Sequence, residues 1–377
     1  MIIEIKGAGS LNKGAEMMLL TILEQFRDED VKFTIVPQKG VSDYSFYSKL
    51  GIYPKVWLRY KGIQFGKFGK FIPKKIRELY GLIIDEDIDV ILDASGFRYT
   101  SQWGEPPTKL MAREAKLWKK DGKKIILLPQ AFGPFITENI KNDMKTIVKS
   151  SNLIYARDRF SYQELLKITD DINNIKLYPD FTVLFKGRIP SYFNHKVKQV
   201  CIVPNQRMKD KVNNAKNYEK LFSKIIYKLQ DNGFSPFFLI HGGNEDLEIA
   251  KKINNLLNYQ IEIISEENPY FIKGIIENSI GLIGSRFHSL ASGLYSGIPS
   301  LGTGWSHKYL YLFEEFDYKE GLFELTINDD ELDDKLEMIM CEDKRKKIKS
   351  KLLDKKSKIE FKSLQMFKDI KKEIGLV

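Results

Sequence analysis

Short apolar runs alternate with longer stretches of mixed character along most of the chain. The first run, residues 2–5, is followed by a glycine-containing loop and then by apolar residues at three- and four-residue spacing over 15–26. Runs of this length predict buried strands, and the wider spacing predicts amphipathic helices. Continuous apolar strands that alternate with helices indicate a parallel sheet covered on both faces, and therefore the α/β class.

The alternation falls into two blocks separated by a polar stretch at 188–198. Strand-like runs begin at Val90, Ile125 and Leu153 in the first block, and the second block opens at Val200. Because 377 residues are more than one compact core usually holds, we expect two domains. The predicted division is an N-terminal α/β domain at 1–187, a C-terminal α/β domain at 199–340 and a basic helical segment at 341–377.

Composition and charge narrow the functional classes. Hydrophobic residues make up 43% of the chain and charged residues 29%, so the chain is able to bury cores. Cys201 and Cys341 lie far apart with no CxxC or CxxH partner, which predicts neither a disulfide framework nor a zinc site. The net charge of +10 suits an anionic substrate or an anionic membrane surface. No zinc-finger, RNP or basic-zipper pattern supports binding to nucleic acid.

The chain shows no signal-peptide pattern at its start and no apolar run near the length of a membrane span. Together with the low cysteine content, this predicts a cytoplasmic protein. Peripheral contact with the inner face of the membrane is the alternative that the positive charge leaves open.

Residues 44–80 interrupt the strand–helix alternation with basic residues interleaved among aromatic ones. In chain order these are Tyr53, Lys55, Trp57, Arg59, Tyr60, Lys61, Phe65, Lys67, Phe68, Lys70, Phe71, Lys74, Lys75 and Arg77. The composition fits an insertion that stacks on saccharide or lies on a membrane surface. It fits equally well a solvated face over an ordinary core.

The loop at 6–14 differs from a dinucleotide-binding loop. Its glycines are Gly7, Gly9 and Gly14, so the third falls two residues later than a GxGxxG fingerprint requires. The strand that follows, beginning at Phe33, ends without the acid that would hold a ribose. The pattern therefore does not predict NAD binding. Backbone N–H groups and Asn12 at the helix start are instead candidates for binding a substrate hydroxyl or an anion.

Polar residues follow several of the predicted strands. Asp93 and Ser95 come after one strand, Gln130 after the next, and Arg157 and Asp180 after later ones. Because ligands of open α/β sheets bind beyond the carboxyl ends of the strands, we expect these side chains near a binding cleft. Polar residues at strand ends also commonly cap neighbouring helices, so both interpretations stand for each of them.

Residues 281–318 hold two strand-to-helix turns with basic residues at both helix starts. Ser285 is predicted to cap a helix with Arg286 and His288 in its first turn, and Ser306 to cap one that opens with His307 and Lys308. Helix N-termini attract anions, and a guanidinium offers a planar fork for carboxylate or phosphate. The sequence therefore predicts an anion site beside titratable groups, with both helix N-termini facing one crevice.

The same stretch, SRFHSLASGLYSGIPSLGTGWSHKY, resembles the C-terminal motif of the polysaccharide pyruvyl transferases. Six further segments carry the resemblance from near residue 3 to about 320, and they are NKGAEMMLL, LDASGFRYTSQWG, LLPQAFGPF, ARDRFSYQEL, YPDFTVLF and VPNQRM. The resemblance implies two Rossmann-like domains that face a cleft, as in the glycosyltransferase-B architecture. It also implies transfer of a pyruvyl group from phosphoenolpyruvate to a sugar, with formation of a cyclic ketal.

Phosphoenolpyruvate carries a phosphate and a carboxylate, so its site needs cationic clamps. Arg207, Arg286 and Lys308 are the candidates. The resemblance implies His288 as general acid for the methylene carbon, with His307 as the alternative, because histidine titrates near neutrality. Asp93 is the candidate base for the acceptor hydroxyl. No clustered metal ligands are evident, so we expect neither a metal nor a cofactor beyond the donor substrate.

Two rival functions remain open. A nucleotide-sugar glycosyltransferase would share the architecture and the anion-binding domain, whereas a catalytically inert carbohydrate-binding protein could dispense with Arg286 and His288. The sequence specifies neither the acceptor sugar, nor the hydroxyls that are bridged, nor whether the acceptor is linked to a lipid.

Overall fold

A computed structural model describes residues 1–10, 12–37, 44–57, 59–60, 63–170, 172–194, 199–211, 215–304 and 306–377. The side chains at 59, 60, 63–65, 67, 211 and 215 are not described either. Lys61 of the basic aromatic segment and the last four residues of the predicted linker, 195–198, therefore lie outside the described residues.

The chain divides into two compact units. Unit 1 comprises Met1–Phe181 and Lys362–Val377, and unit 2 comprises Thr182–Phe361. The predicted first domain, 1–187, thus extends a few residues into unit 2. The predicted third segment, 341–377, is not a body of its own, because its residues are shared between the two units.

Unit 1 is built on a parallel sheet. The strands before unit 2 are, in chain order, β1 (Ile2–Lys6), β2 (Lys32–Ile35), β3 (Tyr53–Pro54), β4 (Arg59–Tyr60), β5 (Ile63–Gln64), β6 (Val90–Asp93), β7 (Lys124–Gln130), β8 (Leu153–Ala156) and β9 (Ile175–Leu177). Strands β4 and β5 form a separate antiparallel pair, and the other seven form one sheet in the order β3-β2-β1-β6-β7-β8-β9. The chain order reverses between β1 and β6, which makes this pair the topological switch point.

Helices cover this sheet because its central strands are apolar on both faces. All four residues of β6 and of β8 are buried, as expected for parallel strands between two helical layers. The helices are α1 (Lys13–Gln25), α2 (Tyr44–Lys49), α3 (Lys74–Tyr80), α4 (Pro106–Lys120), α5 (Glu138–Ser150) and α6 (Arg159–Leu166). Met111 and Trp118 of α4 and Met144 of α5 pack with Ile125 and Leu127 of β7 in one buried cluster.

Unit 2 repeats this plan with five parallel strands. They are β10 (Gln199–Val203), β11 (Ser235–Ile240), β12 (Ile263–Ser265), β13 (Gly281–Gly284) and β14 (Ser300–Gly302), in the order β12-β11-β10-β13-β14. The helices are α7 (Arg207–Lys211), α8 (Tyr218–Asp231), α9 (Asn244–Asn254), α10 (Pro269–Glu277), α11 (Phe287–Tyr295), α12 (His307–Glu315) and α13 (Asp329–Met340). The switch point of this sheet lies between β10 and β13, so the predicted anion-binding stretch begins at the switch point.

The basic C-terminal segment forms one helix, α14 (Glu342–Glu373). Among its apolar residues, Leu352 and Ile359 are buried, whereas Phe361 is 70% exposed and Leu364 is 48% exposed. Phe367 packs α14 against unit 1, because the centre of its ring lies 6.2 Å from that of Phe26 and 5.6 Å from that of Phe181. None of the described helices, α14 included, is long and apolar enough to cross a bilayer.

Candidate functional site

Buried polar contacts fix the strand ends at the switch point of unit 2. The Asn205 side-chain amide, which follows β10, donates to the carbonyl of Ser285, which follows β13, at 2.7 Å. The Ser285 hydroxyl lies 2.6 Å from the hydroxyl of Tyr218. Burial raises the pKa of the Tyr218 phenol, so this group stays neutral and acts only through hydrogen bonds. These buried hydrogen bonds therefore hold the two loops that follow β10 and β13 in place.

Helix α11 begins one residue later than the sequence predicts. Ser285 is not the N-cap, because its hydroxyl is engaged by Tyr218, and Arg286 occupies that position with φ −104° and ψ 124°. Arg286 makes no side-chain cap, and the first helical hydrogen bond runs from the Leu290 amide to the Arg286 carbonyl at 3.0 Å. His288 lies in the first turn, as predicted. The positive end of this helix is thus left uncapped by its own N-cap side chain.

A buried acid orients the Arg286 guanidinium. Arg286 donates through Nε to Asp246 in the first turn of α9, and the two side chains are 22% and 1% exposed. A second guanidinium nitrogen lies 3.4 Å from the Gly242 carbonyl. The other Asp246 oxygen accepts the Gln206 amide at 3.0 Å. Asp246 therefore fixes one edge of the guanidinium against unit 2 and also ties down the loop after β10.

The second predicted helix start lies beside the first. Ser306 is the N-cap of α12, as predicted, but it too makes no side-chain cap, and its buried hydroxyl has no hydrogen-bond partner among the described residues. The Lys308 ammonium lies 5.5 Å from the ring centre of Phe287 and 5.4 Å from that of Tyr309. Phe287 and Tyr309 pack edge to face at 6.1 Å. The lysine charge is thus held between aromatic rings next to the start of α11.

Histidines accompany both helix starts. His288 is partly buried, and its ring packs edge to face on Phe287 at 5.2 Å. His307 is the first residue of α12, and its ring packs edge to face with that of Tyr311 at a centroid distance of 6.0 Å. A third histidine, His241 after β11, is buried, and its Nε2 lies 2.5 Å from the Ser289 hydroxyl in the first turn of α11.

Arg207 is placed differently from the prediction. Its side chain is 52% exposed and pairs with Asp210 on its own short helix at 3.0 Å. Its backbone amide donates to Asn205 Oδ1 at 3.0 Å. The structure thus places the Arg207 backbone at the strand ends but turns its guanidinium along the surface of α7. Its role as a donor clamp therefore has less geometric support than that of Arg286 or Lys308.

In unit 1, the side chains of Ser95 and Tyr99 cover the carboxylate of the predicted base Asp93. Its carboxylate is fully buried, and one oxygen accepts from the Ser95 amide at 2.9 Å and from the Ser95 hydroxyl at 2.5 Å. The other oxygen accepts from the hydroxyl of Tyr99. Burial, reinforced by Asp93, raises the pKa of Tyr99 well above its usual value, so the phenol remains a donor. In this arrangement Asp93 orients Ser95 and Tyr99 and does not itself reach a surface.

Asn12 and Gln130 differ sharply in surroundings. Asn12 is exposed and caps α1, because its Oδ1 accepts the Gly14 amide at 2.9 Å. Gln130, at the end of β7, is fully buried, and neither its amide oxygen nor its amide nitrogen has a hydrogen-bond partner in the described part of the chain. A buried amide without partners is costly. Gln130 is therefore the stronger candidate for binding a ligand, although it lies inside unit 1 and not at its surface.

A cavity of about 470 Å³ lies near the switch point of unit 1. Its lining includes Lys6, Trp57, Arg98, Tyr99 and Glu114, together with Ser95 and Glu4. The buried Glu4 pairs with Lys55 at 2.7 Å through one oxygen, and its other oxygen, which accepts no hydrogen bond from the described residues, lies 3.9 Å from the Lys6 ammonium. Burial alone would lower the pKa of Lys55, but Glu4 and Asp85 outweigh it and raise that pKa. Two acids and two bases thus line the cavity beside aromatic rings.

Sequence comparison decides the family. The family model described as polysaccharide pyruvyl transferase matches residues 12–307, which is well over half of the 377 residues. This chain belongs to the polysaccharide pyruvyl transferase family. It is therefore an enzyme, a transferase of polysaccharide biosynthesis with a saccharide acceptor. No curated protein matches the sequence.

Solved structures similar to this pyruvyl transferase share its fold at low sequence identity. MnaA of S. aureus, solved with UDP, has a TM-score of 0.62 at 12% identity, over 100% of this chain and 97% of that one. UDP-GlcNAc 2-epimerase of Methanocaldococcus jannaschii has a TM-score of 0.60 at 13% identity, with 91% and 94% covered. Anabaena Alr3699/HepE with UDP-glucose has a TM-score of 0.63 at 11% identity, with 100% and 99% covered. The predicted glycosyltransferase-B-like fold with two Rossmann-like domains is confirmed.

Sequence reasoning missed three functional candidates in this transferase: Asp246, His241 and Glu4. Asp246 had a signal in the sequence, the glycine pair that precedes α9. A Cβ atom on Gly242 would lie 2.0 Å from the Arg286 guanidinium and 2.1 Å from the Asp246 carboxylate, so only glycine leaves room for their pair. His241 directly precedes those glycines. Glu4 had no comparable signal, because an acid within a strand of five residues gives no indication of a cavity.

Proposed function

We propose that this enzyme transfers the pyruvyl group of phosphoenolpyruvate to a sugar of a cell-surface polysaccharide or its precursor, forming a cyclic ketal and releasing inorganic phosphate. One observation carries the proposal: two helix starts in unit 2 lie together, neither is capped by its N-cap side chain, and both carry basic residues. Helices α3, α4, α8 and α9 also lack a side-chain cap, so what distinguishes α11 and α12 is that their basic starts lie side by side. Uncapped helix starts with basic side chains suit a ligand that bears two anionic groups.

We assign the donor contacts to Arg286, Lys308 and the amides of the two helix starts. The guanidinium edge that Asp246 does not hold would take a carboxylate or phosphate in bidentate fashion, and Lys308 would supply a point charge. Because Asp246 already holds Arg286, little side-chain entropy would be lost when the donor binds. Arg207 is kept only as an outer contact, since its guanidinium pairs with Asp210.

The chemistry requires one proton delivered to carbon. The methylene carbon of phosphoenolpyruvate gains a proton as a sugar hydroxyl adds to C2, and a second hydroxyl then displaces phosphate to close the ketal. The two sugar hydroxyls release two protons. One of them reprotonates the acid, and the other leaves on the phosphate. His288 is the proposed acid because it stands in the first turn of α11, and His307 is the alternative.

We place the acceptor in the cavity of unit 1. Its volume falls in the range of small-molecule sites, and Trp57 and Tyr99 offer aromatic surface to a sugar ring. Glu4 and Glu114 balance Lys6 and Arg98, so the cavity suits a polyhydroxyl group better than a second anion. The Glu4 oxygen that faces Lys6 makes no hydrogen bond to the described residues and would accept one from a sugar hydroxyl. Asp93 acts in this proposal by orienting Ser95 and Tyr99 and not as the base itself.

The rival is transfer from a nucleotide sugar. It is favoured by the UDP and UDP-glucose bound in the similar S. aureus and Anabaena structures, which at their low identity share only the fold. The two donors differ in the leaving group, because a nucleotide sugar releases a nucleoside diphosphate and phosphoenolpyruvate releases inorganic phosphate.

Donor binding tests the proposal directly. Arg286→Lys keeps the charge but removes the fork, so calorimetry should show phosphoenolpyruvate affinity reduced by about tenfold to a hundredfold, as expected for one charged hydrogen bond. Arg345→Lys is the matched control, because Arg345 binds the carbonyls of Ile339 and Met340 at the end of α13. Equal affinities in the two variants would remove Arg286 from the donor site. Wild-type binding of UDP-sugars but not of phosphoenolpyruvate would reject the proposed donor.

A further inference from the structure

Helix α3 and the turn before it expose a cluster of large apolar side chains. Phe71 is 72% exposed, Leu79 77%, Tyr80 66% and Ile76 44%. None of the residues of α3 is buried. Ile76, Leu79 and Tyr80 share one face of the helix because they are three and four positions apart. Exposed apolar clusters of this kind mark interaction surfaces. We call Phe71, Ile76, Leu79 and Tyr80, with Lys70, Lys74 and Lys75, the α3 face.

The α3 face is held outward by anchors on its inner side. A Cβ atom on Gly69 would lie 2.8 Å from Ile84 and 3.1 Å from Val56, so the turn is pressed against the edge of the sheet. Arg77 pairs with Asp87 and donates to the carbonyl of Ile72 at 3.3 Å. A helix of seven residues is marginal by itself in water, so these contacts position it. The exposure of the apolar side chains is therefore built into the fold of unit 1.

We propose that the α3 face lies on an anionic membrane surface. Lys70, Lys74 and Lys75 are all exposed beside the apolar side chains. Lys74 pairs with Glu78 at 3.8 Å, and both side chains are exposed. Exposed ion pairs of this kind are weak, so the Lys74 ammonium is still able to attract an anionic surface. A short helix with aromatic and aliphatic residues on one face and lysines around it is the pattern of an interfacial segment. The lysines attract anionic lipid headgroups, and the apolar side chains enter the boundary of the acyl chains.

A second copy of this chain is a poorer occupant for the α3 face. In a twofold dimer the same patch meets itself, so the three lysines would face the same three lysines across the contact. The net charge of +10 on each copy would add to the repulsion between the two copies. A saccharide is also less suitable, because the ring of Phe71 already stacks on Phe68 at 6.2 Å and has Lys70 within 5.3 Å of its centre.

Sedimentation with lipid vesicles tests this proposal without reference to the enzymatic activity. The wild-type protein should sediment with vesicles of phosphatidylglycerol and phosphatidylcholine, much less with phosphatidylcholine alone, and less as salt is raised. Replacing Lys70, Lys74 and Lys75 together by Gln should weaken the binding on the order of a hundredfold, about fivefold for each lysine at the surface. Phe71→Ser with Leu79→Ser should weaken binding even at low salt.

Matched controls decide whether the α3 face is responsible. Replacing Lys346, Lys347 and Lys349 by Gln removes the same charge from exposed positions of α14, and Tyr259→Ser removes an apolar side chain that is 79% exposed. These variants should bind like the wild type, and all variants should keep its melting temperature. Equal loss in the α14 variant, no binding by the wild-type protein, or loss of a dimer in place of vesicle binding would each overturn the proposal.

Discussion

The ion pair of Asp246 with Arg286 supplies a prediction whose size follows from the contacts. Asp246→Asn keeps the shape but has a single neutral oxygen. If that oxygen accepts the Gln206 amide, the NH₂ group faces Arg286, and in the other orientation the NH₂ group faces the Gln206 amide. A hydrogen bond to a charged group contributes about 1.5–3 kcal/mol. Arg286 keeps 22% of its side chain exposed, so water compensates part of the loss. We expect the free energy of unfolding of unit 2 to fall by about 2 kcal/mol, less than the loss for breaking a fully buried pair.

Thermal unfolding measures this loss. A domain the size of unit 2 shifts by about 2–4 °C per kcal/mol, so the transition of unit 2 should move down by about 4–8 °C. Glu248→Gln is the control on the same helix, because Glu248 pairs with Lys251 at 2.8 Å while both are more than half exposed. It should cost less than about 0.5 kcal/mol. Replacing Arg286 by Met should then cost less in the Asp246→Asn background than alone. Equal melting temperatures for Asp246→Asn and Glu248→Gln would refute this reasoning.

Three further predictions concern catalysis, pH and metals. His288→Gln should lower turnover by roughly 10²–10⁴ while donor affinity by calorimetry changes little, whereas weakened affinity with normal turnover would move the acid to His307. The raised pKa of Tyr218 contributes stability that is complete below about pH 10 and is lost as pH rises above it. Urea unfolding from about pH 9 to pH 11 should therefore show a shallower fall for Tyr218→Phe than for the wild type, and equal slopes would contradict the assignment. Activity should survive EDTA, and a complete loss restored by magnesium would reveal a metal requirement.

The apolar pattern was sufficient to predict the two parallel sheets and the strand-to-helix turns of unit 2. The apolar run that forms β13 and the serine at the N-cap of α12 are both recognised from residues only a few positions away. Local signals of this kind are carried by the sequence itself. Ser285 failed as a predicted cap because its hydroxyl is taken by Tyr218, which lies 67 positions earlier in the chain.

The chemistry of the sites was less predictable because it depends on distant partners and on depth. Arg286 was predicted as a donor clamp, but the acid that orients it, Asp246, lies 40 positions away in the chain. Asp93 was predicted near a binding cleft as a candidate base, yet Ser95 and Tyr99 donate hydrogen bonds to its two oxygens. Arg207 was predicted as a donor clamp, but its exposed guanidinium pairs with Asp210 on α7. Each case shows a residue type that fitted the chemistry but whose burial and partners only the fold could determine.

Turnover with both substrates present tests the central claim most directly. The enzyme should release inorganic phosphate from phosphoenolpyruvate only when a suitable saccharide from a panel of acceptors is added. The saccharide should gain a pyruvyl ketal, seen by NMR as a new methyl signal, in equal amount to the phosphate. Release of a nucleoside diphosphate from a nucleotide sugar, with no acceptor-dependent phosphate from phosphoenolpyruvate, would contradict the proposed reaction.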